Sequence, residues 1–167
     1  MNKKQDIIFV LLAILLFAPF ILSDKLYEFY SEFNSEHGII MSFIKFAILA
    51  TSGELIGLRI KTGKFYKKGF GILPRMMVWG FLGICIKIAF IIFTNGTPVV
   101  LEYLGLNNAT GLIRESFSTD KLLVSFCISA ALNLVFAPVM MTFHKITDIH
   151  IATNGGKLSC LLKPIKF

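Results

Sequence analysis

Ionisable side chains embedded in long apolar runs are the residues of this chain best placed to do chemistry. Four stand out: Lys45, Glu54, Arg75 and Lys87. A charge at the centre of a membrane helix costs about 2.5–3.5 kcal/mol on insertion scales, so each is a functional candidate by default. Helical spacing, about 100° per residue, separates them. Glu54 shares a face with Ala47, Ala50, Gly53 and Gly57, and Gly53-x-x-x-Gly57 lets a neighbouring helix come close. That face turns Glu54 inward. Lys45 lies about 180° round the same helix, near its outer end, where the stem can carry the ammonium to the headgroups.

Lys87 follows Gly80 and Gly83 on a small-residue face and points into the interior or a water-filled cavity; snorkelling outward past Phe93 fits it equally. Arg75 enters its run at about the depth of Glu54, so the two can pair. Both a structural ion pair and a gate fit that placement. Ser125, Ser129 and Asn133 recur every four residues, with Pro138 downstream. Such a stripe glues helices together or lines a polar path.

Catalytic constellations are absent. His37, His144 and His150 are scattered in flanking segments, and His144 with Asp148 at helical i, i+4 spacing supplies two ligands where a metal site needs more. No Gly-rich phosphate loop, nucleophile elbow or HExxH occurs. The expectation is a protein with no catalytic residue, metal or cofactor, and not an enzyme. Cys85, Cys127 and Cys160 offer no disulfide framework and read as packing residues. Asn95-Gly96-Thr97 and Asn108-Ala109-Thr110 match the glycosylation pattern, which arises often by chance.

The elements that position these residues follow from composition. Hydrophobic residues make up 55% of the 167, charged residues 16%, and mean hydropathy is +0.73. A soluble domain carries about 25% charged residues. The excess apolar surface calls for lipid, and nearly the whole chain (1–167) goes into one membrane domain. Spans are expected at about 7–23, 39–59, 72–93 and 122–143, with a tail over 144–167; about 20 residues cross the hydrocarbon core. The first run is short and follows Lys3 and Lys4, as a signal peptide would. Bulky Phe17-Ala18-Pro19-Phe20 offers no cleavage site, so it reads as a retained span. The run Val99–Leu106 is too short to span and reads as an interfacial patch within a long outer loop from Thr94 to Lys121.

Charge sorting gives the orientation. The 59–75 segment carries Arg59, Lys61, Lys64, Lys67, Lys68 and Arg75 and no acid; the tail adds Lys145, Lys157, Lys163 and Lys166. The first connection carries Asp24, Glu28, Glu32 and Glu36 against Lys25 alone. Four spans put all the basic segments on one side. The fold class is therefore an all-α integral membrane protein, an antiparallel four-helix transmembrane bundle with both termini cytoplasmic. Its net charge of +7 suits anionic lipid headgroups at the 59–75 loop rather than nucleic acid.

Several motifs carry a resemblance. Asn133–Pro138 followed by Phe143–Asp148, with Gly53-Glu54 and Trp79-Gly80, resembles the family of the twenty-two-kilodalton peroxisomal membrane protein and its mitochondrial inner-membrane relatives, nearest its bacterial branch. The resemblance covers roughly residues 39–150. The chain departs from it in having Glu54 where Asp is typical, and in lacking a Trp and a Pro upstream of Asn133. The resemblance implies a four-helix membrane protein with weakly selective channel behaviour and no assigned catalytic residues. The expected function is a channel or transporter for small polar or anionic metabolites, with homo-oligomerisation in reach of the small-residue faces. The other reading is a non-conducting scaffold or assembly protein. The expected location is the bacterial cytoplasmic membrane, or an organelle inner membrane in a eukaryote.

Overall fold

Ser23 caps the first break in the chain. Its extended backbone ends helix α1 (Lys3–Leu22), and its hydroxyl accepts from the Leu26 amide to open α2 (Asp24–Glu36). The remaining helices are α3 (Gly38–Thr62), α4 (Ile72–Tyr103), α5 (Ala109–Leu112), α6 (Thr119–Ala131) and α7 (Ala137–Thr153). A π-helical turn, Leu132–Phe136, joins α6 to α7 without a break, and a 3-10 turn follows at Leu158–Leu162. The structure is a computed structural model that describes residues 3–165; Lys166, counted above in the basic tail, lies outside the described residues. Among the described residues there is no strand.

Four helices are long and apolar enough to cross a membrane: Lys4–Leu22, Gly38–Thr62, Ile72–Tyr103 and Thr119–Thr153. They fit a multi-pass membrane protein, and large side chains such as Leu15, Ile21 and Leu134 point outward from them.

Three segments differ from the sequence expectation. The acidic connection is itself a helix: Asp24, Glu28 and Glu32 line one side of α2 at spacings of four, while Tyr27, Tyr30 and Asn34 line another. Helix α4 continues past Phe93, through the buried Pro98, to Tyr103. Most of the apolar patch after Pro98 thus extends the helix rather than lying along an interface. The last helix likewise runs to Thr153, and the tail begins beyond it.

Glycine governs the closest packing. A Cβ added at Gly83 would stand 2.6 Å from the Ser42 carbonyl oxygen, and one at Gly80 would stand 2.5 Å from the Phe43 ring. Gly83 lets α3 and α4 approach backbone to backbone, and Gly80 makes room for the Phe43 ring. Gly53 and Gly57 do not share that role, because nothing lies within 4 Å of a Cβ at either. The buried face of α3 carries Ala47 and Thr51 instead. Helix α4 is the hub and packs against α3, α5, α6 and α7. Helix α1 packs on α2 and reaches α3 through side chains: Arg59 Nε and Nη2 donate to the two Asp6 oxygens at 2.6 and 2.7 Å.

Beyond α7 the chain folds back on the start of α4. Gly71 and Gly156 both have left-handed φ, +72° and +67°, and a Cβ on Gly156 would lie 2.6 Å from the Gly71 nitrogen. His150 Nε2 sits 2.9 Å from the Cys160 carbonyl oxygen, and Cys160 is 1% exposed. Burial pushes the Cys160 thiol above its ordinary value. The unfolded thiol therefore ionises first, so this group's contribution to stability is full below the unfolded value and is lost as pH rises through the higher folded one. In a variant lacking Cys85 and Cys127, Cys160 is expected to resist maleimide at pH 7.5 until the protein is unfolded. Equal labelling rates before and after unfolding would show that the tail is not docked.

Candidate functional site

Three helices each bring polar side chains to one point near the 63–71 loop. Glu54 comes from α3, Arg75 and Trp79 from α4, His144 and Asp148 from α7. The last four form two i, i+4 pairs, and that spacing puts both members of a pair on one side of their helix. Glu54 is the acceptor at the centre. Its Oε2 accepts from Arg75 Nη1, its Oε1 accepts from Trp79 Nε1 at 2.7 Å, and His144 Nε2 lies 2.9 Å from Oε1. Arg75 Nη1 also donates to Asp148 Oδ1, which lies 3.7 Å from His144 Nδ1. The loop closes the site: Arg75 Nε donates to the Phe70 carbonyl at 2.7 Å, and the guanidinium lies 4.3 Å from the Phe70 ring centre. Trp79 and His144 meet edge to face at 4.2 Å.

The guanidinium is buried, and the Glu54 and His144 side chains are only 16% and 10% exposed. Charges this far from water need partners with good geometry, and Arg75 and Glu54 each have at least two. Glu54, His144 and Asp148 also offer ligand atoms within 4.8 Å of one another, a spacing a cation could bridge. Arg75 already bonds both carboxylates and supplies that positive charge. Nothing in the cluster is a poised nucleophile. What the arrangement does is electrostatic: it ties α3, α4 and α7 together at one end.

Among the sequence candidates, the structure brings Glu54 and Arg75 together and leaves the others elsewhere. Lys87 lies by the first residue of α3, its Cε 3.4 Å from where a Gly38 Cβ would sit. Ser125, Ser129 and Asn133 are exposed, and Asn133 Nδ2 donates to the Ser129 carbonyl at 2.8 Å within its own helix. The π turn explains this outward placement. Asn133 and His144 are eleven residues apart, about 20° of rotation in an uninterrupted α-helix. The extra residue carried by the turn offsets the two faces by about 100°. His144 then meets α4 while the Ser-Asn stripe turns away. Pro138, just beyond the turn, is exposed as well.

Trp79, His144 and Asp148 are not among the sequence candidates for the site: the sequence marks His144 with Asp148 as an i, i+4 pair too few for a metal, and Trp79 only as part of a resemblance motif. Their signal is the i, i+4 repeat in each of two helices, which becomes informative only when the two are known to be neighbours. The basic segment also divides. Arg59 and Arg75 turn inward onto acids, while Lys61, Lys64, Lys67 and Lys68 stay exposed. No family model, no curated protein and no solved structure matches this chain.

Proposed function

We propose that this chain is an antiparallel four-helix membrane bundle with both termini on the cytoplasmic side, passing small polar or anionic solutes through a gated path that is closed in this conformation. The observation that carries the reading is the Glu54–Arg75–Asp148 network with Trp79 and His144. A charged latch across three helices, buried at one end of the spans, is costly to keep unless it can be released. Lys87, at the other end, supplies a positive entrance. Four of the five latch residues (Glu54, Trp79, His144 and Asp148) also fall in the motifs that carry the family resemblance.

Purified protein in liposomes is expected to leak small anions, and Lys87→Glu is expected to shift the preference toward cations. Liposomes that stay tight across a range of solutes would sink the proposal.

A second reading, a non-conducting scaffold or assembly partner, draws on a different observation. The cavity beside Lys87 does not reach Glu54 or Arg75, and close packing at Gly80 and Gly83 lies between them. The open face at Gly53 and Gly57 and the outward Ser-Asn stripe are then surfaces for another helix. Under this reading Glu54→Leu and Lys87→Leu change partner binding or stability and leave permeability at zero.

A further inference from the structure

The end of the protein remote from the Arg75 cluster carries two lysines that the latch does not use. Lys45 of α3 and Lys87 of α4 line one cavity of about 340 Å³ with Asn34 of α2, Gly38 and Ser42, and no acid lines it. Lys45 Nζ donates to Asn34 Oδ1 at 2.6 Å. Lys87 has no hydrogen-bond or ion-pair partner among the described residues. Lys45 is half-buried and Lys87 is exposed rather than turned into the interior, so both line a cavity that a shared anion can reach, and that anion favours the charged form of each.

A second cavity adjoins the first. About 290 Å³ lies between α1 and α3 under the Tyr27 and Tyr30 side of α2, with Leu16, Phe17, Ile44 and Ile48 on its walls. It exists because α1 and α3 do not pack backbone to backbone: Phe20 against Tyr30 closes one end at 5.3 Å, and Asp6 with Arg59 ties the other. Lys45 lines both cavities. Two lysines beside an apolar groove, with Lys45 on the wall of both cavities, fit one kind of molecule, an anion with a long alkyl chain.

We propose that this protein holds one anionic glycerophospholipid, its phosphate on Lys45 and Lys87 and an acyl chain in the groove between α1 and α3. The chemistry discriminates among sources. Free phosphate has a use for the lysines and none for the groove. A zwitterionic lipid fills the groove and gains less from the pair of charges. Juxtamembrane lysines contribute enough apiece for Lys87→Gln to weaken an anionic lipid by about fivefold, and Lys45→Gln with Lys87→Gln by about 30-fold.

Native mass spectrometry of the full chain tests this, with phosphatidylglycerol, phosphatidylcholine and inorganic phosphate as probes. One phosphatidylglycerol per chain is expected to be retained in preference to phosphatidylcholine, with the losses above in the lysine variants. Ile48→Trp, which fills the groove, is expected to weaken phosphatidylglycerol without changing any effect of inorganic phosphate. Lys87→Gln breaks no hydrogen bond or ion pair among the described residues, so it stays interpretable if the double variant does not fold. Undiminished phosphatidylglycerol retention in folded Lys87→Gln overturns the proposal. So does inorganic phosphate binding as tightly as the lipid, because the site would then be one for a free anion. The measurement reads retention and not flux, so a protein that conducts nothing can still support it.

Discussion

Replacing Arg75 with alanine is expected to destabilise the protein by about 3–5 kcal/mol, the cost of removing one partner from a buried charge network. The loss is large because one guanidinium serves three acceptors: Glu54, Asp148 and the Phe70 carbonyl. Without it two carboxylates face each other in a pocket that Trp79 and His144 cannot neutralise alone. Lysine restores the charge but not the planar fork, so Arg75→Lys falls between wild type and alanine. A control separates orphaned charge from lost packing. Removing the carboxylates as well, in Glu54→Leu/Arg75→Met/Asp148→Leu, is expected to recover much of the loss, because an apolar replacement of a whole ionic cluster is often close to neutral. Unfolding in detergent micelles, followed by circular dichroism, measures all three. If Arg75→Ala unfolds with wild-type stability, the network is not what ties the helices.

Enlarging Gly83 is the second severe change. Its added carbon would meet the Ser42 carbonyl, which is backbone and cannot swing aside, and the Phe46 side chain at 2.7 Å. Gly83→Val therefore forces α3 and α4 apart and is expected to cost about 1–3 kcal/mol or more, the range for overpacking a tight interface. Gly80→Ala is milder, since the atoms it meets belong to the Phe43 ring. Gly53 and Gly57 go the other way. With open space at both, alanine there gains about 0.5–1 kcal/mol of helix propensity in a monomer. If those glycines instead pack against another copy, Gly53→Ala weakens self-association, which analytical ultracentrifugation in detergent reads directly. The Gly83 and Gly53 results together show which glycine face works within the chain and which is left for a partner.

Hydropathy makes the four long helices legible, because a run of about 20 apolar residues is long enough to cross the hydrocarbon core. It does not say where they end. Pro98 and the polar residues around it suggest a loop after Phe93, yet α4 has a core to lie against and continues. On charge alone the acidic run after Ser23 reads as a connection, although Tyr27, Tyr30 and Asn34 already have helical spacing. Depth suffices to pair Glu54 with Arg75, although the glycine face that the sequence turns inward beside Glu54 is open at Gly53 and Gly57. The partners of Glu54 and Arg75 on α7, His144 and Asp148, are hidden by the π turn, which changes the facing of α7 by one residue and leaves little mark in the sequence beyond Pro138. A straight helix would have turned Asn133 inward beside His144. The same limit applies to the glycines. Spacing marks both pairs as close-approach sites, and only the packing of α3 on α4 shows that Gly80 and Gly83 are used within the chain.

Solute flux through Asp148→Asn, compared with wild type at equal amounts of folded protein in liposomes, tests the gated path most directly. Asparagine keeps the shape of Asp148 but gives up its charge on Arg75, loosening α7 while leaving Glu54 on Arg75. Faster efflux of small anions from the variant is expected, by several-fold, with wild type slow but measurable. Liposomes equally tight with wild type and variant would contradict it and leave the scaffold as the better description.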